Sequence, residues 1–467
     1  MSKESKLLKN TMIYAIGNFS TKILSFLIVP LYTHYINTAD MGVYDLIVTT
    51  LTFLSPVITF QLTDGIYRWL LDPEYDKYII IKTGIVRVFS NMALVLVIGA
   101  PILLFLKVSY GILILLMLIL QSVFYILQQI ARGLKNNYIY VISGIVHSSI
   151  FLGLNVLQIV IFNRGIRGLM ESQIISCFFS SILLIALQPT IIKAFHVPFS
   201  NKTDHEMLKY SLPLIPNAIS WSVVNMSDRY IIKYFLGNSA NGIYSIAYKF
   251  PAVVQIFTNF FYLAWQESSI VEYKSVDRDS YYSNIFSKYF RFLFSLIIAL
   301  MPITQLYVVC TMDSNYHTAW LYTGFLYLGT VFSALSSFLG TAYQISKRSV
   351  GALTTTILAA TVNAGVNIIA IKFIGLQAAA FSTFFAYLVL FIVRVFDTKK
   401  YFELKVKWKE FWLVAVAALI HVIVYNCIDS IIIKIFLQVA SIVFFFIYNK
   451  KMMIGLSRKI FRTIEGR

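Results

Sequence analysis

Six charged side chains, five of them cationic, lie inside long apolar segments of the sequence. An arginine or lysine at the centre of a bilayer costs roughly 2.5–3.5 kcal/mol by insertion scales, so each such residue is a candidate for function. A cationic cavity in a low-dielectric wall attracts anions, and arginine binds phosphate oxygens in a bidentate manner. The pattern therefore predicts a substrate-binding cavity for an anionic cargo, with phosphate as the leading candidate. The six residues are Lys22, Arg87, Asp228, Arg229, Lys249 and Arg291.

The depth of these residues decides how strongly each one favours a cavity. Lys22 lies about 18 Å into the first apolar segment, near the membrane midplane. Arg229 also lies deep, and Asp228 is not expected to pair with it, because adjacent residues point to different faces of a helix. Lys22 and Arg229 are therefore interpreted as facing a wet cavity. The other three cations lie nearer a membrane surface, where snorkelling towards water is an equal alternative.

Other polar residues in the apolar segments have a plainer interpretation. Asn363 and Asn367 belong to a set of amides whose default role is hydrogen bonding between helices. His147 is expected to be a hydrogen-bonded core histidine rather than a proton relay. Pro213 and Pro216 predict a bend early in the seventh apolar segment, because proline interrupts the helical hydrogen-bond ladder.

Composition identifies the elements that must position these residues. Of 467 residues, 58% are hydrophobic and 13% are charged, whereas soluble proteins carry about 25% charged residues. Apolar runs of roughly 18 residues or more recur along the chain and predict membrane-spanning helices. The net charge of +18 lies between these runs rather than on one soluble face, which excludes a nucleic-acid partner. The sequence therefore predicts an all-α polytopic membrane protein.

About fourteen spans are predicted from these runs. The first six lie near residues 11–36, 42–63, 79–106, 109–132, 137–162 and 168–194. The next six lie near 207–235, 242–266, 283–310, 316–343, 350–373 and 376–397, and the last two near 411–428 and 430–449.

The chain also contains an internal repeat, which is typical of transporters. It predicts an N-terminal lobe at 1–200 (spans 1–6), a C-terminal lobe at 201–400 (spans 7–12), and a basic connector, spans 13–14 and a tail at 401–467. An even number of spans in each repeat predicts a pseudo-twofold axis along the membrane normal and a central cavity that opens alternately to each side. The repeated residues are Leu8, Lys9, Ser20, Gly42, Tyr44 and Phe60, which recur as Leu208, Lys209, Ser220, Gly242, Tyr244 and Phe260.

Orientation follows from the distribution of lysine and arginine between the two sides. Most of these residues lie on the side that holds both chain ends, so both termini are predicted to be cytoplasmic. The opposite side holds only Lys107, Arg164, Arg167, Lys233, Lys372 and Lys434.

Several classes of function lack their sequence signals. The chain has no Walker A motif and no glycine-rich dinucleotide motif, so energy is expected to come from a gradient. No predicted loop is long enough for a soluble catalytic domain, which argues against an enzyme. The three isolated cysteines give no metal spacing or disulfide framework. No cofactor is expected.

Short motifs in both halves resemble the polysaccharide-repeat-unit flippases, which act on O-antigen, capsule or exopolysaccharide units. These flippases belong to the superfamily that also contains the multidrug extruders and the peptidoglycan-precursor flippase. The motifs are Asn37-Thr38-Ala39-Asp40-Met41-Gly42-Val43-Tyr44, Asp228-Arg229-Tyr230-Ile231-Ile232, Phe235-Leu236-Gly237, Gly242-Ile243-Tyr244-Ser245-Ile246-Ala247-Tyr248-Lys249 and Gly375-Leu376-Gln377-Ala378-Ala379-Ala380.

This resemblance implies two six-helix lobes in a V shape, with two further helices that help hold a lipid tail. It implies movement of an undecaprenyl-pyrophosphate-linked oligosaccharide from the cytoplasmic to the outer leaflet of the bacterial cytoplasmic membrane, for lipopolysaccharide or another surface polymer. Asp228 and Arg229 match the family's Asp-Arg pair, and Lys249 matches its Tyr-Lys pair. The expected partners are the lipid-linked oligosaccharide, the lipid bilayer, a polysaccharide polymerase and a chain-length regulator.

Two other functions compete with this interpretation. A cation-coupled small-molecule antiporter of the multidrug extruder type would share the helical architecture, but such pumps favour buried carboxylates over a positive cavity. A glycan polymerase or lipid-dependent glycosyltransferase would need a long external loop, which the sequence lacks. Proton coupling, sodium coupling and passive flow all remain open at this point.

Overall fold

The computed structural model describes residue 26 and residues 28–464, except for 274, 346–348 and 429–430. Lys22 and most of the first predicted span lie outside the described residues. The elements that are described are helical, and no strand occurs among them. The all-α architecture expected from the sequence is therefore confirmed.

The first half of the chain forms nine α-helices among the described residues, and a π-helical turn (Val156–Ile161) follows the sixth. They are α1 (Val29–Tyr35), α2 (Thr38–Ile58), α3 (Leu62–Leu70), α4 (Lys77–Phe105), α5 (Gly111–Gly133), α6 (Asn137–Asn155), α7 (Gly165–Leu187), α8 (Pro189–Ala194) and α9 (Asn201–Ser211).

The second half contains longer helices, preceded by a short 3-10 segment at Leu212–Leu214. They are α10 (Ile215–Glu272), α11 (Arg278–Thr311), α12 (Ala319–Ile345), α13 (Ser349–Ile374), α14 (Gln377–Asp397), α15 (Trp408–Cys427) and α16 (Ile431–Ile464).

The chain divides into two compact units, Met1–Met226 and Ser227–Arg467, with the boundary inside α10. Ten helices of the described residues are long and apolar enough to cross a membrane. They correspond to predicted spans 2–6 and 9–13, and the last predicted span corresponds to a shorter apolar helix at Ile432–Tyr448. Predicted span 8 and the part of span 7 from Ile215 onward lie in α10.

Three predicted boundaries differ from the structure for local reasons. The second span ends at Ile58 rather than residue 63, because Phe60 and Gln61 adopt positive φ angles of 52° and turn the chain. The seventh span does not begin at residue 207, since α9 continues to Ser211 and the 3-10 segment containing Pro213 interrupts the helix. The predicted spans near 207–235 and 242–266 leave residues 236–241 between them, but the helix breaks only at Gly237, whose φ of 85° suits glycine.

The core of the first unit lies between α3, α4 and α5. Ile66, Ile80 and Ile130 are at most 1% exposed there. Trp69 on α3 packs edge-on against Tyr210 on α9, with ring centroids 5.3 Å apart. The short helix α9 is therefore attached to the rest of the first unit by apolar contact.

The core of the second unit is largely aromatic. The ring of Phe286 on α11 lies 5.3 Å from Phe338 on α12 and 6.1 Å from Phe411 on α15. Phe411 also packs 5.2 Å from Phe391 on α14. Aromatic pairs at these separations stabilise by about 0.5–1.5 kcal/mol beyond the area that they bury. The cluster therefore joins α15 to α11, α12 and α14.

A close contact between α12 and α14 yields a stability prediction. A Cβ atom on Gly329 would lie 3.3 Å from the backbone N and Cα of Phe384, whereas one on Gly365 would meet nothing within 4 Å. Gly329→Leu should therefore lower the free energy of unfolding by at least about 2 kcal/mol, because the two helix backbones would have to separate. Gly365→Leu is the matched control and should unfold at the wild-type temperature in detergent. Equal stability of the two variants would contradict this packing.

Candidate functional site

The most strongly buried charged pair of the predicted site lies on α10, nine and eight residues before the break at Gly237. Asp228 is 2% exposed and Arg229 is 7% exposed. The helix brings them beside α13 and α14, and Tyr244 approaches from the part of α10 beyond the break. A deep, kinked helix therefore carries both charges into the interior of the second unit.

The carboxylate of Asp228 accepts hydrogen bonds from three different segments. Asn367 Nδ2 donates over 2.8 Å, Thr383 Oγ1 over 2.6 Å and Tyr244 OH over 3.2 Å. Hydrogen bonds to a charged group contribute about 1.5–3 kcal/mol each, so the three donors offset much of the cost of burying the carboxylate. Asp228 thereby ties α10 to α13 and α14.

A second layer of polar groups surrounds this carboxylate. Asn363 lies one turn before Asn367 on the same face of α13, accepts a hydrogen bond from Ser227 Oγ over 2.9 Å and donates to Thr383 Oγ1 over 3.4 Å. Both amides are fully buried, and the Asn367 Oδ1 atom has no hydrogen-bond partner among the described residues. A buried carboxylate beside hydroxyl and amide oxygens can take up a proton or a small hard cation.

A multidentate metal centre is not supported by the described part of the chain. No group of three or more His, Cys, Asp or Glu side chains comes together among the described residues. Because Asp228 is the one carboxylate of its cluster, any cation held there would be bound mainly by neutral oxygens. Thr383, which contributes one of them, was missed by the sequence reasoning, since it carried no motif of its own.

Arg229 contacts an aromatic ring on the part of α10 beyond the break. Its guanidinium lies 4.8 Å from the ring centroid of Tyr248, a cation–π distance. Lys249, the next predicted cation, is exposed. Arg229 and Lys249 remain the predicted anion-binding residues of this unit.

The structure places Arg87 and Arg291 in ion pairs with carboxylates. Arg87 on α4 binds Asp204 on α9 through both ends of its guanidinium, with Nε 2.9 Å from Oδ1. Arg291 on α11 binds Glu410 on α15 over 2.7 Å, and Tyr448 OH donates to the same carboxylate over 3.2 Å. These pairs give both arginines a structural role, and their predicted contact with substrate remains a prediction.

The Arg87–Asp204 pair predicts a measurable coupling. Asp204 is buried, so Arg87→Met should destabilise the protein more than Asp204→Asn, because the first variant leaves a buried carboxylate uncompensated. The double variant should lose less than the two single losses together, with a coupling of about 1–3 kcal/mol in detergent unfolding. The pair Arg68–Asp72, 3.7 Å apart with an exposed arginine and a half-buried acid, is the control and should couple by under about 0.5 kcal/mol. Additive single effects at Arg87 and Asp204 would count against the pair.

Arg394 is a further buried cation that the sequence reasoning did not single out. It is 3% exposed near the end of α14 and donates to the Ser336 carbonyl and to the hydroxyls of Thr355 and Thr356, over 2.9–3.2 Å. These partners lie on α12 and α13, so Arg394 joins three helices. It lies three residues before Asp397, at the end of the span predicted near 376–397.

His147 lies in the first unit, apart from the charged cluster. Its Nε2 atom lies 3.2 Å from Ser176 Oγ and 3.4 Å from Cys177 Sγ. The ring stacks on Phe124 with centroids 4.7 Å apart. This is the environment of a hydrogen-bonded core histidine, as the sequence indicated.

An apolar groove of about 430 Å³ lies between α10 and α11 in the second unit. Four of its eight lining residues are aromatic, and Lys288 is the one charged residue among the eight. A groove of this composition suits a hydrocarbon chain that carries an anionic group at one end. Its lining includes Phe257, Thr258, Phe261, Lys288, Tyr289 and Phe292.

Comparison with known families gives one match in sequence. A family described as "Polysaccharide biosynthesis protein" matches residues 7–265, which is more than half of the chain. This stretch includes Asp228, Arg229 and Lys249. No curated protein has significant sequence similarity to the chain.

Several solved structures share the fold of this chain. The lipid II flippase MurJ, in an inward closed conformation, aligns with a TM-score of 0.72 at 16% identity, over 95% of this chain and 100% of that chain. A multidrug resistance MATE family transporter of the MOP superfamily aligns in its inward-facing form with a TM-score of 0.68 at 12% identity, over 81% and 95%. Its outward-facing form gives 0.63 at 12% identity, over 86% and 98%. At these identities the likeness shows a shared fold.

Proposed function

The chain belongs to the polysaccharide biosynthesis protein family, and from this premise we propose that it is a flippase for lipid-linked oligosaccharides. The proposed cargo is an undecaprenyl-pyrophosphate-linked repeat unit, which moves from the cytoplasmic to the outer leaflet of the bacterial cytoplasmic membrane. The observation that carries the proposal is the deeply buried Arg229, since an interior guanidinium suits the pyrophosphate of such a cargo.

Different residues of the second unit are proposed to bind different parts of this cargo. Arg229 and Lys249 would bind the pyrophosphate, and the groove beside Lys288 would accommodate part of the prenyl chain. The same cationic role is proposed for Lys22 and remains proposed for Arg87 and Arg291. The two six-span lobes, the terminal pair of spans and the cytoplasmic termini are also retained as parts of the proposal.

Asp228 suits a role in driving the cycle rather than in binding the anion. Its carboxylate is held by α10, α13 and α14, so uptake of a proton or a monovalent cation would change the hydrogen bonds between these helices. A ligand shifts a conformational equilibrium only by its differential affinity for the two states. We therefore assign energy coupling to Asp228, with Asn363, Asn367 and Thr383 as its supporting oxygens.

The alternative function is a cation-coupled small-molecule antiporter of the multidrug extruder type. One observation favours it: Asp228 is a buried carboxylate in a fold shared with a multidrug transporter. The cationic environment of Arg229 disfavours cationic drugs, which places this function second.

Depletion of the protein in its host separates these functions. The flippase proposal expects completed lipid-linked repeat units to accumulate at the cytoplasmic face while surface polysaccharide is lost. Unchanged lipid-linked sugar with altered drug sensitivity would instead establish the antiporter. Completed units at the outer face that stay unpolymerised would assign the defect to the proposed polymerase or chain-length regulator partners and contradict flipping.

A further inference from the structure

The connector between α14 and α15 presents a row of lysines on its outer face. Its backbone has no regular structure from residue 402 to 407, and exposure alternates from one residue to the next. Phe402, Leu404 and Val406 point inward, which is the pattern of an extended chain with one buried face. All five lysines are exposed, and we call them the lysine row: Lys399, Lys400, Lys405, Lys407 and Lys409.

The buried side of the connector fixes this row in place. Phe402 is 3% exposed and packs edge-on against Tyr282, with ring centroids 5.0 Å apart. The backbone N–H of Lys405 donates to Ser283 Oγ over 2.7 Å. Because side chains alternate in an extended segment, this anchoring directs Lys405 and Lys407 outward, with about 7 Å between them.

Neighbouring carboxylates leave most of this positive charge uncompensated. Asp397 binds Tyr343 OH and Lys400, while Glu410 binds Arg291 on the inner side. Asp279, which lies near Lys405, binds Arg278. Glu403 is the one acidic residue between α14 and α15, and it is exposed.

Aromatic residues place the row at the depth of lipid headgroups. Trp408 is the first residue of the spanning helix α15, and Trp412, one turn later, is 39% exposed. Tryptophan is enriched where a spanning helix crosses from the apolar interior into the headgroup region. Clusters of four to eight lysines or arginines directly beside such a helix bind anionic lipids.

We propose that the lysine row binds the anionic phosphate headgroups of the leaflet at which α14 ends and α15 begins. The row would anchor the connector, and with it α15 and α16, to that surface. The chemistry is a row of ammonium groups against lipid phosphates, so its strength falls as salt screens the charges. This proposal is independent of the transported cargo.

Lipid binding to the purified full-length protein tests the proposal. Phosphatidylglycerol and phosphatidylcholine are titrated into detergent solutions, and bound lipids are counted by native mass spectrometry. The wild type should retain phosphatidylglycerol in preference, and the triple variant Lys405→Gln, Lys407→Gln, Lys409→Gln should bind it at least about tenfold more weakly. Substitution of the same three lysines by arginine should preserve binding.

A matched triple variant with the same change in charge controls for non-specific attraction. Lys107, Lys233 and Lys372 are exposed lysines elsewhere, and their replacement by glutamine should leave the phosphatidylglycerol affinity unchanged. Equal losses in both triples would overturn the proposal, as would equal binding of phosphatidylcholine by the wild type. Displacement of the lipid by an equal concentration of inorganic pyrophosphate would assign the row to soluble phosphates and overturn it too. Should the triple variant fail to fold, the single Lys407→Gln variant must still show a partial loss.

Discussion

Replacement of Asp228 by asparagine should reduce transport about a hundredfold while the protein remains folded in the membrane. A hundredfold change corresponds to about 2.7 kcal/mol, which is close to the contribution of one or two hydrogen bonds to a charged group. Asparagine preserves the shape of the side chain and an oxygen for Asn367, so packing should survive. It removes the negative charge that would attract a proton or cation, and the driving step should therefore fail.

The measurement is the rate at which a lipid-linked oligosaccharide reaches the outer face of reconstituted vesicles, with and without an imposed ion gradient. Asp228→Asn should abolish the acceleration by the gradient and leave only slow, gradient-independent movement. Asp64 provides the matched control, since it is an exposed acid that accepts a hydrogen bond from Gln61, the residue just before its helix. Asp64→Asn should transport at the wild-type rate. A gradient-dependent Asp228→Asn protein would remove the coupling role from this residue.

The two residues of the Asp-Arg motif show what the sequence could and could not predict. Depth in an apolar segment marked Asp228 and Arg229 as functional candidates, because charge in such a place is expensive and rare. The structure places Asp228 among amides and hydroxyls, and it places Arg229 over the ring of Tyr248. That the two side chains do not pair with each other stays a prediction from helical geometry. Thr383 could not be found in the same way, since one hydroxyl within an apolar helix costs little and leaves no pattern.

Boundaries were harder to predict than the helices themselves. Hydropathy responds to long apolar runs, so ten predicted spans correspond to observed helices. It does not respond to a single backbone reversal, and for this reason the positive φ angles at Phe60 and Gln61 went unnoticed. The gap predicted between spans 7 and 8 covers residues 236–241, whereas the structure leaves the helix only at Gly237.

The same pair of contacts occurs in both units and gives a structural role to Arg87 and Arg291, two cations that the sequence assigned to a cavity. In the first unit, two residues of α4 contact the chain at and just before α9. Thr83 accepts a hydrogen bond from the Ser200 N–H over 3.2 Å, and Arg87 pairs with Asp204. In the second unit, two residues of α11 make the corresponding contacts. Ser283 accepts a hydrogen bond from the Lys405 N–H, and Arg291 pairs with Glu410 on α15. The third predicted span of each repeat thus fastens the chain that leaves that repeat. Sequence spacing concealed this arrangement, because the partners lie more than 100 residues apart.

Replacement of Arg229 by methionine should weaken substrate binding about a hundredfold and expose a different defect from that of Asp228. Methionine retains much of the apolar contact with Tyr248 but cannot attract a pyrophosphate, so the concentration of lipid-linked oligosaccharide needed for half-maximal transport should rise. Arg229→Lys keeps the charge but loses the bidentate geometry. Its concentration for half-maximal transport should therefore lie between those of the wild type and Arg229→Met.

The comparison of the two substitutions is sharper than either one alone. If Arg229 binds the anion and Asp228 drives the cycle, then Arg229→Met keeps its response to an ion gradient at saturating substrate, whereas Asp228→Asn keeps its substrate affinity. Lys372→Met is the control, since Lys372 is an exposed cation of the same unit that lies 5.8 Å from the ring of Phe235. It should change neither quantity. Loss of the gradient response in both site variants would mean that the two residues act as one unit, because a shared mechanism makes separate substitutions converge on the same defect.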